Sequence, residues 1–258
     1  MSSIVTLTTD FEEREPYAAS AKGVLYSRCP GVQIIDLTHY IPRENVPEGA
    51  LFIAGAIPYF PKGTIHLVAV ASEGRPIVVS LGGQRVVCSD NGVVTMLAER
   101  FPIEEAHVIS NPDLLPHVDG QTYFGRDVFA PAAALLASGA PLQEVGEAID
   151  DVSQLDLPRP EKEDKSTVSG RVIHVNRFGT LVTNIHQSFL EGLKVMSVEV
   201  GTFNVGGLSK TYADVEHGYP LALYGSAGYL EIAYHGDSAE ARLGLGVGII
   251  VKIAVESA

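Results

Sequence analysis

Four short segments of this 258-residue chain carry side chains able to do chemistry. In Thr8-Thr9-Asp10-Phe11, a carboxylate directly follows a β-branched run. At a strand end it can accept the two hydrogen bonds of a ribose diol, or act as a turn or N-cap aspartate. Thr38-His39 closes a second such run, as a ligand contact or as a hydrogen-bonded structural pair. Thr122-Tyr123-Phe124-Gly125-Arg126-Asp127 sets aromatics beside a glycine just ahead of an apolar, alanine-rich run. That pattern can make a tight apolar slot with free backbone N–H groups at a helix start, while Arg126-Asp127 reads equally as an ion pair or cap. Asn176-Arg177-Phe178-Gly179-Thr180 is a polar–aromatic–glycine loop that can clamp a base or an amino-acid end, or be a simple turn. The remaining histidines, 66, 107, 117, 174, 186, 217 and 235, have no ligand spacing. Dinucleotide, P-loop, nucleophile-elbow and kinase signatures are absent, as are CxxC and HExxH, so no metal site is expected.

The elements that must position these residues fall into two classes. Ile4-Val5-Thr6-Leu7-Thr8-Thr9 predicts a buried strand ending at Asp10. Residues 17–28 place Ala18, Ala21, Val24 and Leu25 on one helical face, stopped by Cys29-Pro30-Gly31. Residues 32–37 predict the next strand, and Asn45 with Glu48 a capped helix running through Ile57. Further strands are expected over 64–71, 76–81 and 84–88, and helices over 127–138 and 141–149. This alternation predicts an α/β N-terminal domain with a mostly parallel sheet covered on both faces, whose ligands gather at carboxyl strand ends. A polar, proline-bearing stretch over 157–169 then breaks the pattern. Beyond it, short strands over 171–175, 195–200, 220–224, 229–234 and 247–253 predict a smaller all-β, barrel-like domain. The division expected is an α/β domain over 1–160, a linker over 161–169 and a β-barrel domain over 170–258.

Composition narrows the partners. The formal net charge is −13, which repels phosphate backbones and anionic lipid, so neither nucleic acid nor a membrane surface is an expected partner. Two cysteines, Cys29 and Cys88, make no disulfide framework. The N-terminus enters a strand with no basic or long apolar leader, and no apolar run reaches the roughly 18 residues of a membrane span. A cytoplasmic protein is expected.

Taken together and in order, the segments resemble the family of S-adenosylmethionine hydroxide adenosyltransferases, fluorinases and chlorinases. The resemblance rests on Thr6-Leu7-Thr8-Thr9-Asp10-Phe11, Lys22-Gly23-Val24, Asp36-Leu37-Thr38-His39, Glu48-Gly49-Ala50, Phe60-Pro61-Lys62-Gly63-Thr64-Ile65-His66 and Asp90-Asn91-Gly92. It continues through Gly125-Arg126-Asp127-Val128-Phe129-Ala130-Pro131-Ala132-Ala133, Phe178-Gly179, Thr183-Asn184-Ile185 and Gly225-Ser226-Ala227-Gly228-Tyr229-Leu230-Glu231-Ile232-Ala233. The resemblance implies an α/β domain followed by a β-barrel, a homotrimer, and a ligand held between one subunit's first domain and the next subunit's second. It implies attack on the ribose C5′ in line with a sulfonium, with methionine leaving, and neither metal nor cofactor. The ligand contacts it implies are Asp10, Tyr123, Phe124, Gly125, Asn176, Phe178, Thr180, Ser226 and Ala239.

The chain departs from the family where water would be activated. Water must lose a proton on attack, and a base there contributes about 10²–10⁴-fold. The family's Val-Asp-Pro-Gly-Val-Gly-Thr-x-Arg-Arg loop is cut to Val70-Ala71-Ser72-Glu73-Gly74-Arg75-Pro76, with Ala71 at the aspartate, Gly74 at the arginine and Phe124 at the histidine. Glu73 and Arg75 are the candidate replacements. The family's Asp-Arg-Phe-Gly-Asn is Asn176-Arg177-Phe178-Gly179-Thr180, one carboxylate fewer for the methionine ammonium. The expected function is S-adenosylmethionine hydrolysis to adenosine. The alternatives are a chlorinase-like, halide-using transferase, which Tyr123-Phe124-Gly125 favours, and a non-catalytic adenosine or S-adenosylmethionine binder.

Overall fold

The computed structural model describes residues 3–115 and 123–257; Thr122 and His117 lie outside them. The chain divides into two compact units, 1–156 and 157–258.

In the first unit, β1 (Ile4–Thr9), α1 (Tyr17–Arg28), β2 (Gln33–Thr38), α2 (Val46–Ala56), β3 (Ile65–Ala69), β4 (Pro76–Leu81), β5 (Gln84–Ser89), α3 (Thr95–Arg100), β6 (Ile103–Val108) and α4 (Ala130–Ala137) follow in order. The strands form one sheet in the order β2-β1-β3-β5-β4-β6. The sheet is mixed. β2, β1, β3 and β5 pair in parallel, while β4 runs antiparallel to both β5 and β6. The turn Gly82-Gly83 explains the exception, because two residues can join antiparallel neighbours but not parallel ones. Helices cover both faces. Val5, Leu7, Leu67 and Val87 pack with Ala21, Leu25 and the alanines of α4, and Val68, Ile77, Val79 and Val86 pack with Ile53 and Leu97. Asn45 caps α2 as its spacing predicts, its side chain accepting from the Glu48 N–H at 3.1 Å.

Local pattern misses three features. The alanine-rich helix begins as a π-turn over Gly125–Phe129 before α4. Residues 141–149 keep only a short 3-10 turn, Leu142–Glu144, because the backbone beyond it bonds to β6 and its extension instead: Val108 N–H to the Glu147 carbonyl at 2.9 Å and Ser110 N–H to the Val145 carbonyl at 3.0 Å. β6 itself, with Glu104 and Glu105 in its middle, lacks an apolar run.

The second unit contains β7 (Glu161–Lys162), β8 (Thr167–Val175), β9 (Leu181–His186), β10 (Leu193–Val200), β11 (Phe203–Gly206), β12 (Pro220–Tyr224), β13 (Tyr229–Tyr234), α5 (Ala239–Leu243) and β14 (Ile250–Ser257). They form an antiparallel sheet, β11-β10-β14-β8-β9-β13-β12, with β7 added on β8. A bridge from Leu208 to Ala222 brings the segment after β11 onto β12, so the sheet is nearly closed, barrel-like, around Val172, Leu181, Ile185, Leu230, Ile232 and Ile253. The stretch 161–169, expected as a linker, is built into this sheet: Glu161 and Lys162 pair with Ser169 and Val168.

One buried polar group gives the first unit a pH dependence. His66 on β3 is fully buried, with Nδ1 2.7 Å from Thr6 Oγ1 and Nε2 2.8 Å from Gln84 Oε1. Burial pulls its pKa down to about 4, and the bond to Gln84 offsets only part of this. The unfolded chain, near 6.5, therefore takes up this proton first. Stability is lost as pH falls from 6.5 toward 4, by up to about 3 kcal/mol. Denaturant titrations at pH 7 and pH 4 are expected to show a larger loss for the native chain than for His66→Asn, by roughly that amount.

Candidate functional site

At the carboxyl ends of β1 and β3, on the α1 and α4 side of the sheet, the first unit opens a cleft of about 260 Å³. Asp10, Phe11, Tyr17, Arg43, Glu44, Ala69, Ala71, Ser72, Tyr123, Phe124, Gly125 and Phe129 line it. Its geometry centres on Asp10. One carboxylate oxygen, Oδ2, accepts the backbone N–H of Glu44 and that of Ala71, each at 3.1 Å. Oδ1 has no protein partner among the described residues. Both donors have left-handed backbone, Glu44 at φ +58° and Ala71 at φ +52°, as does Glu12 at φ +54°. Such conformations in non-glycine residues cost of order 1–3 kcal/mol each and cluster where function requires them.

The wall of the cleft is aromatic. Phe11, Tyr17 and Tyr123 form a mutual cluster, with ring centroids 5.7, 5.4 and 5.0 Å apart. The Tyr123 hydroxyl donates to the Tyr17 carbonyl, and burial raises its pKa, so it stays a neutral donor. Gly125 is tightly placed: a Cβ there would lie 3.1 Å from both Phe11 Cζ and Tyr123 Cε2. Arg126 pairs with Asp127 at 2.6 Å and lies over the Tyr123 ring at 5.2 Å, so it braces this wall.

The loop after β3 is pinned away from the cleft at Arg75. Arg75 donates to Asp90 at 2.9 Å and to the Asp151 carboxylate and carbonyl, and its hydrogen bond holds the Asp151 carboxyl below the usual range. Neither Arg75 nor Glu73 is among the residues lining the cleft, whereas Ala71 and Ser72 are. His39 is structural. Its Nδ1 lies 2.9 Å from Thr9 Oγ1, and its Nε2 lies 3.2 Å from Asp36 Oδ1 without hydrogen-bond alignment. Its carbonyl accepts the Glu12 N–H at 2.7 Å, which fixes the turn carrying Asp10.

In the second unit, Asn176 Oδ1 accepts the N–H groups of Phe178 and Thr180, at 2.9 and 3.1 Å, and so shapes its own loop. The Phe178 ring is left 79 % exposed. Ser226 is exposed at the tip of the 225–228 turn, and Ala239 is wholly buried at the start of α5. Of the expected contacts, Asp10, Tyr123, Phe124 and Gly125 are brought together in one cleft. Asn176, Phe178, Thr180, Ser226 and Ala239 belong to the other unit. Arg43, Glu44 and Ser72 were missed, and no motif marks them: they reach the cleft because the loops after β2 and β3 converge on Asp10.

The fold and site define a two-unit protein whose α/β half presents a carboxylate and an aromatic wall at carboxyl strand ends, and whose other half is an antiparallel, barrel-like sheet. The chain belongs to the SAM hydroxide adenosyltransferase family: residues 5–146 match its N-terminal domain and residues 170–252 its C-terminal domain. It is 34 % identical to a Thermus thermophilus protein named (R)-S-adenosyl-L-methionine hydrolase, over 96 % of this chain and 98 % of that one. It is 28 % identical to a fluorinase of an Actinoplanes species, over 97 % of each. A solved Thermotoga maritima structure, titled an uncharacterized conserved protein, is similar at a TM-score of 0.88 and 32 % identity, covering 97 % of this chain and 99 % of that one.

The tight fit at Gly125 makes it a sensitive probe. Gly125→Ala must displace the Phe11 or Tyr123 ring by a few tenths of an ångström, and overpacking of this kind costs about 1–3 kcal/mol. The free energy of unfolding measured by denaturant titration is expected to fall by about that amount.

Proposed function

We propose that this chain cleaves S-adenosylmethionine at the ribose C5′, with water attacking in line with the sulfonium and adenosine and methionine as products. The observation that carries this reading is Asp10, fixed through Oδ2 and open through Oδ1 beside an aromatic wall. A carboxylate so held accepts the two ribose hydroxyls without reorganising, and the rings cover the adenosyl group. The sulfonium is already a good leaving group, so the protein's remaining tasks are to place and dry the nucleophile and to receive its proton. The hydrolase names carried by relatives at 34 % and 32 % identity support water over halide.

The positions that hold the family's water-activating aspartate and histidine carry Ala71 and Phe124, and Arg75 is committed to Asp90 and Asp151. The acidic residues among those lining the cleft are Asp10 and Glu44, and the Glu44 carboxylate is 67 % exposed and 3.5 Å from Arg43 Nη2. With Asp10 on the ribose, we assign proton acceptance to Glu44, in place of the Glu73 and Arg75 expected from sequence. The proposal takes the protein as a cytoplasmic homotrimer, each cleft completed by the second unit of a neighbouring subunit, and needs neither metal nor cofactor.

Purified protein incubated with S-adenosylmethionine, with and without chloride, is expected to yield adenosine by chromatography in both cases. Asp10→Ala is expected to abolish it. A 5′-chloro nucleoside appearing only with chloride would instead establish the halide-using reading, which the aromatic slot at Tyr123-Phe124-Gly125 favours. Nucleoside binding without any product would leave a binder. Glu44→Gln is expected to lower kcat about 10²-fold or more while leaving KM near its native value.

A further inference from the structure

Behind the cleft, one run of polar groups leads from α1 to the backbone beside Asp10. Lys22 on α1 donates to Asp36 Oδ2 at 2.5 Å. Asp36 Oδ1 faces His39 Nε2 at 3.2 Å, too poorly aligned to count as a hydrogen bond. His39 Nδ1 lies 2.9 Å from Thr9 Oγ1, which in turn accepts the Phe11 N–H at 3.3 Å. Thr9 and His39 are both buried, and neither lines the cleft. Asp10 and Phe11, which follow Thr9 directly, both do.

What each group can donate assigns the hydrogens along this run. A carboxylate oxygen offers only lone pairs, so the His39 nitrogen facing Asp36 carries a proton; a bare Nε2 there would set lone pair against lone pair. The Thr9 hydroxyl has one hydrogen to place. Its described partners are the Phe11 N–H, itself a donor, and His39 Nδ1. Of these, only Nδ1 can accept it. A buried hydroxyl hydrogen without an acceptor is costly, which favours a bare Nδ1 and the neutral Nε2–H tautomer. Every donor then points the same way: Phe11 N–H to Thr9 Oγ1, Thr9 O–H to His39 Nδ1, and His39 Nε2–H toward the carboxylate that Lys22 holds.

We infer that His39 and Thr9 are positioning residues for the cleft: His39, as the neutral Nε2–H tautomer, orients the Thr9 hydroxyl so that its lone pair holds the Phe11 N–H and fixes the backbone that carries Asp10. The inference rests on the proposed S-adenosylmethionine reading and adds to it the groups that keep Asp10 in register with the ribose. Glu44 and Ala71 already tie the far end of that side chain through Oδ2. The Thr9–His39 pair fixes the near end, where the Asp10 side chain and the Phe11 ring leave the backbone. Binding groups of this kind must be held to within about 0.5 Å, and supporting hydrogen bonds supply that precision.

Two measurements on the full-length protein test this. Nitrogen NMR of the imidazoles at neutral pH, with the His39 signals identified by their loss in His39→Asn, is expected to show the Nε2–H tautomer. An Nδ1–H tautomer or an imidazolium overturns the inference in the native protein itself. Adenosine affinity is then measured by calorimetry. Thr9→Val keeps the branched shape and removes the hydroxyl, and is expected to weaken binding about tenfold, as loss of one buried hydrogen bond implies. Thr9→Ser keeps the hydroxyl and is expected to bind close to the native protein. His39→Asn places an amide oxygen where Nδ1 lies and is expected to do the same, whereas His39→Leu is expected to lose affinity as Thr9→Val does. Native affinity in folded Thr9→Val overturns the inference and leaves the proposed function standing. Equal loss in Thr9→Val and Thr9→Ser also overturns it, since that marks packing and no role for the hydroxyl. A native protein that binds neither adenosine nor S-adenosylmethionine overturns the proposed function and the inference with it.

Discussion

The first unit depends on one carboxylate oxygen. Asp10 Oδ2 draws in the N–H of Glu44 from the loop after β2 and the N–H of Ala71 from the loop after β3, at 3.1 Å each. Three separate loops therefore meet at a single acceptor. Two of them are held in left-handed backbone that alanine and glutamate otherwise avoid. A charged acceptor strengthens each hydrogen bond relative to a neutral one, and this offsets the local strain. The arrangement leaves Oδ1 without a protein partner among the described residues, so the same residue both assembles the cleft and lines it.

Support for Asp10 comes from behind the cleft. Thr9 bonds His39 through its hydroxyl and Ile41 through its carbonyl, and the His39 carbonyl receives Glu12. Lys22 reaches Asp36 at 2.5 Å on the neighbouring strand. The first set of contacts binds β1 to β2 at the level of the site, in addition to the parallel ladder, and the Lys22–Asp36 pair ties α1 to β2. The aromatic wall adds a second constraint, since Phe11, Tyr17 and Tyr123 pack on one another and the first and last of them crowd position 125.

Two loops are braced by contacts that differ in kind. In the loop after β3, Arg75 pairs with Asp90 and Asp151, so a charge holds the loop. In the second unit, the Asn176 amide oxygen accepts the Phe178 and Thr180 N–H groups, so a neutral group shapes that turn.

The sequence by itself determined the two kinds of architecture, the position of Asp10 at a strand end, and the aromatic–glycine segment at 123–125. It did so because period-two and helical patterns, Asn45 capping and Gly/Pro stops are local properties of the chain. It determined the family through ordered motifs spread over both units. It did not reveal β6 or β9, whose polar residues are satisfied by neighbouring strands, nor the antiparallel place of β4 in a mixed sheet. Only the tertiary structure decided that Arg75 turns to Asp90 and Asp151 and that Glu44 and Ser72 reach the cleft. Those outcomes depend on which loops converge and which strands pair. Such contacts join residues tens of positions apart, and no local spacing encodes them.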